Sequence, residues 1–150
     1  MAILRDTPYG NCNFLVDLGT GDPRTVQAGF AEVLLPDASL DVIEYRNGNE
    51  RESGARKIPG RAKYSNAVLK RGVIGSLDLY QWLDQVRNGD VGARRTVAIH
   101  LLNEDRSATA LTWKLLRAFP VSYTFSNLDA RGEAPLLEML ELAYERLEME

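Results

Sequence analysis

Apolar and polar residues alternate along most of this chain. In residues 12–18, Cys12, Phe14, Val16 and Leu18 share one side of a period-two pattern, which predicts a half-buried strand. TGDPR breaks that strand. Residues 26–35 form a second candidate, stopped by Pro36, and residues 40–45 a third, with Leu40 and Val42 opposite Asp41, Ile43 and Tyr45. Residues 64–73 alternate again. Tyr64, Asn66, Val68 and Lys70 fall on one face, and Lys63, Ser65, Ala67, Leu69 and Arg71 on the other, with Gly72 permitting a bend. Residues 95–102 and 109–117 are expected to form a hairpin around NEDRS, with Val97, Ile99 and Leu101 on one face of the first strand and Leu111, Trp113 and Leu115 on one face of the second. Pro120 has no N–H to give a ladder, so residues 121–125 are expected after a kink or at an edge. Short, turn-bounded strands of this kind favour a sandwich or barrel over a helical bundle.

Two segments depart from alternation. From Ser76, an N-cap candidate, Asp78 falls in a first helical turn and Leu79, Trp82, Leu83 and Val86 recur at helical spacing, until Asn88-Gly89 ends the pattern. A short helix over about residues 77–87 follows. The C-terminal LLEMLELAYERLEME carries both periods: Leu136, Leu140, Ala143 and Leu147 align as a helix, while Leu140, Leu142 and Tyr144 alternate as a strand. Local propensity alone favours helix there.

Between the third and fourth strand candidates, residues 46–61 contain Gly48, Gly54, Gly60 and Pro59 and no apolar run. Nothing in that loop buries enough surface to offset its own ordering entropy, so it is either disordered or ordered by a partner. Charge sharpens this picture. Residues 44–71 hold eight basic side chains against three acids, and residues 129–150 hold seven acids against two basic ones, in a chain of net charge −3. Opposite regions of this kind invite self-association, weakened by salt; two solvated faces would give the same composition.

The 150 residues are expected to form one domain burying roughly 68–70% of its unfolded surface. No apolar run approaches the roughly 18 residues needed to span a bilayer, and MAILRDTPYGN lacks a secretory pattern, so synthesis in the cytoplasm is expected, with export by another route left open. Chemistry is sparse. Cys12, the only cysteine, is expected in the core, and His100, the only histidine, as a structural strand residue, since a base or a metal site needs more partners. No phosphate-binding glycine pattern follows a strand, no carboxylate pair is singled out, and Trp82 and Trp113 are expected as core anchors. No catalytic, cofactor or metal residue is assigned.

Taken together, several blocks give the chain a resemblance to the tail tube proteins of contractile phages and of the related extracellular contractile injection systems. The most specific are Tyr45, Arg46, Gly48 and Asn49 entering the loop, Lys57, Pro59 and Gly60 leaving it, then residues 69–72 as Leu-Lys-Arg-Gly, and Asp78, Leu79 and Trp82 opening the helix. Pro8, Tyr9 and Phe14, then Ala28 and Glu32, then Trp113, Leu115, Ala118 and Pro120, and a closing block from Glu138 to Glu145 follow in the same order. Where the family commonly has Gly-Leu after the second strand, this chain has Leu34-Leu35-Pro36.

The resemblance implies a mainly β (α+β) fold, a β-sandwich or split barrel with one short helix, and a terminal segment that is strand against its helix propensity. It implies six copies in a ring, rings stacked into a hollow tube, and partners in a sheath protein, in baseplate and terminator tube proteins, and in a cargo of protein toxin or DNA. The assembled particle would be a phage tail or an extracellular injection particle. The loop would reach an adjoining subunit through Arg46, Asn49, Arg51, Arg56, Lys57 and Arg61, with Glu138, Glu141 and Glu145 as an acidic counterpart. Alternatives that share the fold are a tube-initiating ring at the baseplate and a type VI secretion tube protein. A monomeric β-sandwich binding module is the rival from another class.

Overall fold

The computed structural model describes residues 1–25 and 28–150. Among these described residues, nine strands and one α-helix follow in order: β1 (Phe14–Asp17), β2 (Glu32–Leu34), β3 (Ala38–Tyr45), β4 (Arg56–Tyr64), β5 (Ala67–Gly72), α1 (Asp78–Arg87), β6 (Arg95–Leu102), β7 (Thr109–Phe125), β8 (Leu137–Ala143) and β9 (Arg146–Met149). Seven strands make one sheet in the order β1-β6-β7-β8-β5-β2, with β9 also on β7, while β3 and β4 pair only with each other. This is the mostly β, one-helix architecture that the resemblance implied.

The long strand β7 makes the fold. Its first half pairs with β6 on one side and β9 on the other, and its second half pairs with β8. Between the halves the register shifts at Pro120/Ser122, and Arg117 takes a positive φ of 53°. Those irregularities let the sheet bend on itself. Pro120 therefore does not end the strand; it sits at the bulge, where a missing N–H costs no ladder bond. The bend brings Val16, Val97 and Leu115 from one half into a single cluster with Leu69, Leu140 and Leu142 from the other.

Helix α1 closes that cluster. Leu79 and Trp82 are buried, and the Trp82 indole Nε1 donates to the Ala93 carbonyl at 2.7 Å, so its polar edge is satisfied inside the core. Ser76 is not the N-cap: Leu77 holds that position without a side-chain bond. The Ser76 hydroxyl instead donates to Asp78 Oδ1 at 2.8 Å. Gly89, at φ 87°, ends the helix as its composition predicts.

Several expectations are revised. Cys12 is exposed, because β1 starts only at Phe14. Of the candidate strand at 26–35, only Glu32–Leu34 pairs, as a three-residue edge; Val26 and Gln27 lie outside the described residues. The strand predicted over 64–73 is two strands of different sheets, parted at Ser65 and Asn66. The terminal segment, by contrast, is strand as the resemblance implied: Glu138, Leu140 and Leu142 are buried in alternation against β5 and β7, and that burial outweighs its helix propensity.

Truncating Trp82 removes the largest buried side chain. Trp82→Ala is expected to cost about 3–5 kcal/mol in urea denaturation, and a loss below 1 kcal/mol would show that α1 is not part of the core.

Candidate assembly surface

The segment expected as a loop over 46–61 is partly strand. Arg56 to Arg61 belong to β4, which runs antiparallel to β3 with Ile43 opposite Ile58, Glu44 opposite Lys57 and Tyr45 opposite Arg56. Only 46–55 is loop. The pairing was hidden because β4, RKIPGRAKY, carries no alternating apolar set and contains Pro59 and Gly60. Both sit at the register shift between Leu40 and Val42, where Gly60 lies so close to Asp41 that an added Cβ would meet its Cβ and its carbonyl oxygen at 3.1 Å.

This hairpin is an arm. Its two legs join the body at one point, where Ser65 N donates to the Asp37 carbonyl at 3.0 Å, Asp37 N donates to the Ser65 hydroxyl at 2.7 Å, and the Tyr64 and Tyr144 rings lie 5.7 Å apart. Among the described residues it pairs with no other strand, and Leu40, Val42, Ile43, Tyr45 and Ile58 along its shaft are exposed. An isolated two-stranded hairpin is marginal in water.

The tip is internally braced. The Arg46 guanidinium donates to the Glu50 and Glu52 carbonyls, each at 2.9 Å, the Tyr45 hydroxyl donates to Asn47 Oδ1, and Arg56 pairs with Glu50 at 3.0 Å. Among the described residues, the side chains of Asn49, Arg51, Lys57 and Arg61 have no such partner and stand exposed. The six loop residues are thus brought onto one arm, with Arg46 and Arg56 holding its shape and the other four facing outward.

The three acids split differently. Glu138 is 2% exposed and faces Arg71, so it offers no surface charge. Glu145 accepts from Arg94 at 2.6 Å and also from Arg117, which neutralises it locally. Glu141 accepts from Asn66 at 3.2 Å.

Arg71 itself anchors a buried polar network that the sequence pattern did not single out. Only 1% exposed, it donates to Glu138 and to Asp78, at 2.5 Å to Asp78 Oδ1, while Tyr123 donates its hydroxyl to Glu138. Burial pushes the Asp78 carboxyl up, but hydrogen bonds from Arg71 and Ser76 outweigh it and hold it below its ordinary value. Burial, with the bond to Glu138, raises the Tyr123 phenol. A signal was present: Arg71 shares the face of Ala67 and Leu69, both fully buried. His100 Nδ1 lies 2.9 Å from Thr112 Oγ1 in a part-buried contact between β6 and β7. Among the described residues no group of three potential ligands is placed to hold a metal, and no helix is long and apolar enough to cross a membrane.

Known proteins supply a context for this geometry. Residues 10–148 match the family described as T4-like virus tail tube protein gp19. A chain in the baseplate of the anti-feeding prophage, six-fold symmetrised, is 29% identical over 97% of both chains, with a TM-score of 0.79. A chain of the PVC sheath–tube complex, an extracellular contractile injection system in its extended state, is 29% identical over 95% of this chain and 91% of that one, with a TM-score of 0.80. A chain of the anti-feeding prophage tube-terminating cap is 27% identical over 100% and 95%, with a TM-score of 0.82. No curated protein matches.

The Arg71 network yields two expectations. Arg71→Ala leaves Glu138 buried without its partner and should cost about 3–5 kcal/mol, whereas the double replacement Arg71→Met with Glu138→Leu should recover much of that loss; equal losses would mean no coupling. Because the folded Asp78 carboxyl is held low, its stabilisation is present above the ordinary carboxylate range and is lost as pH falls through the folded value. Asp78→Asn should therefore be less stable than wild type at pH 7, with the gap closing in acid; a gap that is constant with pH would refute the assignment.

Proposed function

The chain belongs to the T4-like virus tail tube protein gp19 family, and on that footing we propose that it builds the hollow inner tube of a contractile injection particle, six copies to a ring and ring upon ring. It acts as a structural subunit, lining a conduit for cargo and templating a sheath around it, and its other partners are the baseplate and terminator proteins at the two ends of the tube. Cargo is protein or DNA. The finished particle is extracellular or a phage tail.

The observation that carries this reading is the arm, an ordered hairpin with an apolar shaft that its own chain leaves uncovered. The whole molecule repeats the point. Its accessible surface is 10285 Å², roughly a third more than the about 7,600 Å² expected of a folded monomer of this mass. That excess, roughly 2,700 Å², is about three times what one partner contributes to a standard interface. Strands β1 and β2 end the seven-stranded sheet and offer backbone groups to a neighbour, and a ring is a heterologous contact that closes. Six-fold order is supported by the anti-feeding prophage baseplate, and a sheath partner by the PVC complex.

A second reading, a ring confined to one end of the tube, is favoured by the likeness to chains of a baseplate and of a terminating cap. Growth of the purified protein separates the two, since an end ring joins a different protein whereas a tube subunit stacks on itself. In the arm, Arg51, Lys57 and Arg61, with Asn49, reach an adjoining copy, and Glu141 is the acid left available to meet them.

Purified protein should give rings of about 100 kDa, six copies of 16.7 kDa, and tubes under electron microscopy; a monomer in light scattering at every concentration would sink the reading. Arg51→Glu with Arg61→Glu should keep the circular dichroism of the fold and abolish or shorten the tubes. Normal tubes from that variant would remove the charged contact.

A further inference from the structure

Arginine side chains in this protein fall into two groups, with one exception. Among the described residues, each of the others is either engaged by an acceptor, as Arg5, Arg71 and Arg117 are, or exposed to solvent, as Arg24, Arg51 and Arg131 are. Arg95, at the start of β6, is neither. It is half-buried, and among the described residues no hydrogen bond or ion pair reaches its guanidinium. Burial pushes that guanidinium below its ordinary value, and the field of Asp78 offsets this only in part. A cation withdrawn from water without an acceptor is costly, and an acceptor supplied from outside removes that cost.

The side chain is held ready for such an acceptor. Its Cζ lies 4.5 Å from the centroid of the Trp82 ring, a cation–π contact with an indole that the core already fixes through the Ala93 carbonyl. A turn after β1 lies against its stem. Gly19 takes φ 90° there, and a Cβ on it would meet Arg95 Cβ at 3.2 Å and Cδ at 3.4 Å, so glycine is what lets the turn come this close. Asp17 Oδ1 fixes the turn in place, accepting from the backbone N–H groups of Gly19, Thr20 and Gly21 at 2.9, 3.1 and 3.1 Å. Ring and turn thus order the stem in advance and leave the N–H groups of the fork unused, which lowers the entropy lost on binding.

Arg95 lines a cavity of about 410 Å³, inside the range of about 300–1,000 Å³ typical of small-ligand sites. Gln81 and Gln85, one turn apart on α1, line it together with Thr20 and Thr25, and among the described residues none of these four side chains has a hydrogen-bond partner. All four can donate. Two acids on the same wall limit what the cavity takes. Asp78 is held by Arg71 and Ser76, and Asp22 Oδ1 accepts from the Arg24 N–H at 2.9 Å. With one free cation against those two carboxylates, a doubly charged phosphate is opposed, whereas a single carboxylate matches both the charge and the planar fork of a guanidinium.

We propose that this cavity is a carboxylate-binding site, in which Arg95 grips the two oxygens and Gln81, Gln85, Thr20 and Thr25 offer further donors. The carboxylate is carried by a free small molecule or by an Asp or Glu side chain of an adjoining copy, and its recognition is the same in both. The site lies within one chain and does not rest on the tube reading.

Propionate, which is a Glu side chain without its backbone, tests this with Trp82 as reporter. In a Trp113→Phe background Trp82 is the one tryptophan left in the chain, and propionate added to dilute, unassembled protein should change its fluorescence saturably. Propionamide, of the same shape without the charge, and inorganic phosphate should not. Arg95→Gln should weaken propionate about tenfold or more, since charge-assisted hydrogen bonds are lost, and Arg95→Lys should restore only part of the loss because the fork is gone. Gln85→Glu leaves Arg95 in place and supplies a carboxylate from the cavity wall, so it should exclude propionate as well, and it decides the matter where Arg95→Gln fails to fold. Affinity within about twofold of wild type in folded Arg95→Gln or in Gln85→Glu, an equal response to propionamide or phosphate, or no response of the unassembled protein would each overturn the proposal. Assembled rings or tubes separate the two sources. Propionate binding unchanged on assembly marks a free carboxylate as the ligand, and binding lost on assembly marks a side chain of an adjoining copy already seated in the site.

Discussion

The pairing of Arg71 with Glu138 is the contact on which the body of this protein depends. The two residues are directly opposite in the β5–β8 ladder, and both are buried. From that point Arg71 reaches α1 through Asp78, and Glu138 reaches β7 through Tyr123. Three strands and the helix thus share one polar knot. A buried ion pair often adds little net stability over an apolar replacement, because desolvation offsets the attraction. Its value here lies in register. A one-residue slip of β5 on β8 would turn Arg71 outward and leave Glu138 charged in the core, so the knot penalises every alternative alignment.

That fixed register determines what the two ends of the body present. At one end of β5 the chain enters from the arm, and at the other it leaves through an exposed apolar turn into α1. The core is small and held by α1 over the bend in β7, while the arm and both sheet edges remain uncovered. A free monomer gains nothing from such a distribution, whereas a subunit whose edges and arm were covered by neighbours would. Rigidity in the middle and exposed apolar surface at the extremities are two aspects of one design.

How far the sequence could be read depended on whether a segment's burial was encoded in its own residues. Strand β8 alternates because one of its faces is buried, and that period survives without knowledge of the partner; in β6 and β7 burial departs from the apolar set, since Ala98 is buried beside Val97 and Ile99, and Thr112 is buried while Trp113, expected as a core anchor, is only half-buried. Strand β4 has no buried face, so its RKIPGRAKY looked like loop; only pairing with β3 makes it a strand. Cys12 looked like a core position by continuing the pattern of Phe14, yet the ladder to β6 begins at Phe14 and leaves Cys12 outside. Arg71 and Glu138 carried the opposite risk. Each was counted with a charged surface, though each sits on the buried side of its strand, because a charge is admitted to a core only by a partner that lies 67 residues away.

By itself, then, the sequence determined the mainly β class, the extent of α1 to within a residue or so, the turn at NEDRS, the separation of basic and acidic regions, and the family to which its motifs belong. Tertiary structure alone decided which of two periods the C-terminal segment obeys, which charges are internal, and that residues 46–61 form part of an arm. The reason is the same in each case. Local pattern records which residues suit burial or a turn, but whether a segment is buried, paired or left exposed is settled by contacts with residues distant in the chain, whose free energy exceeds the few tenths of a kcal/mol by which local propensities differ.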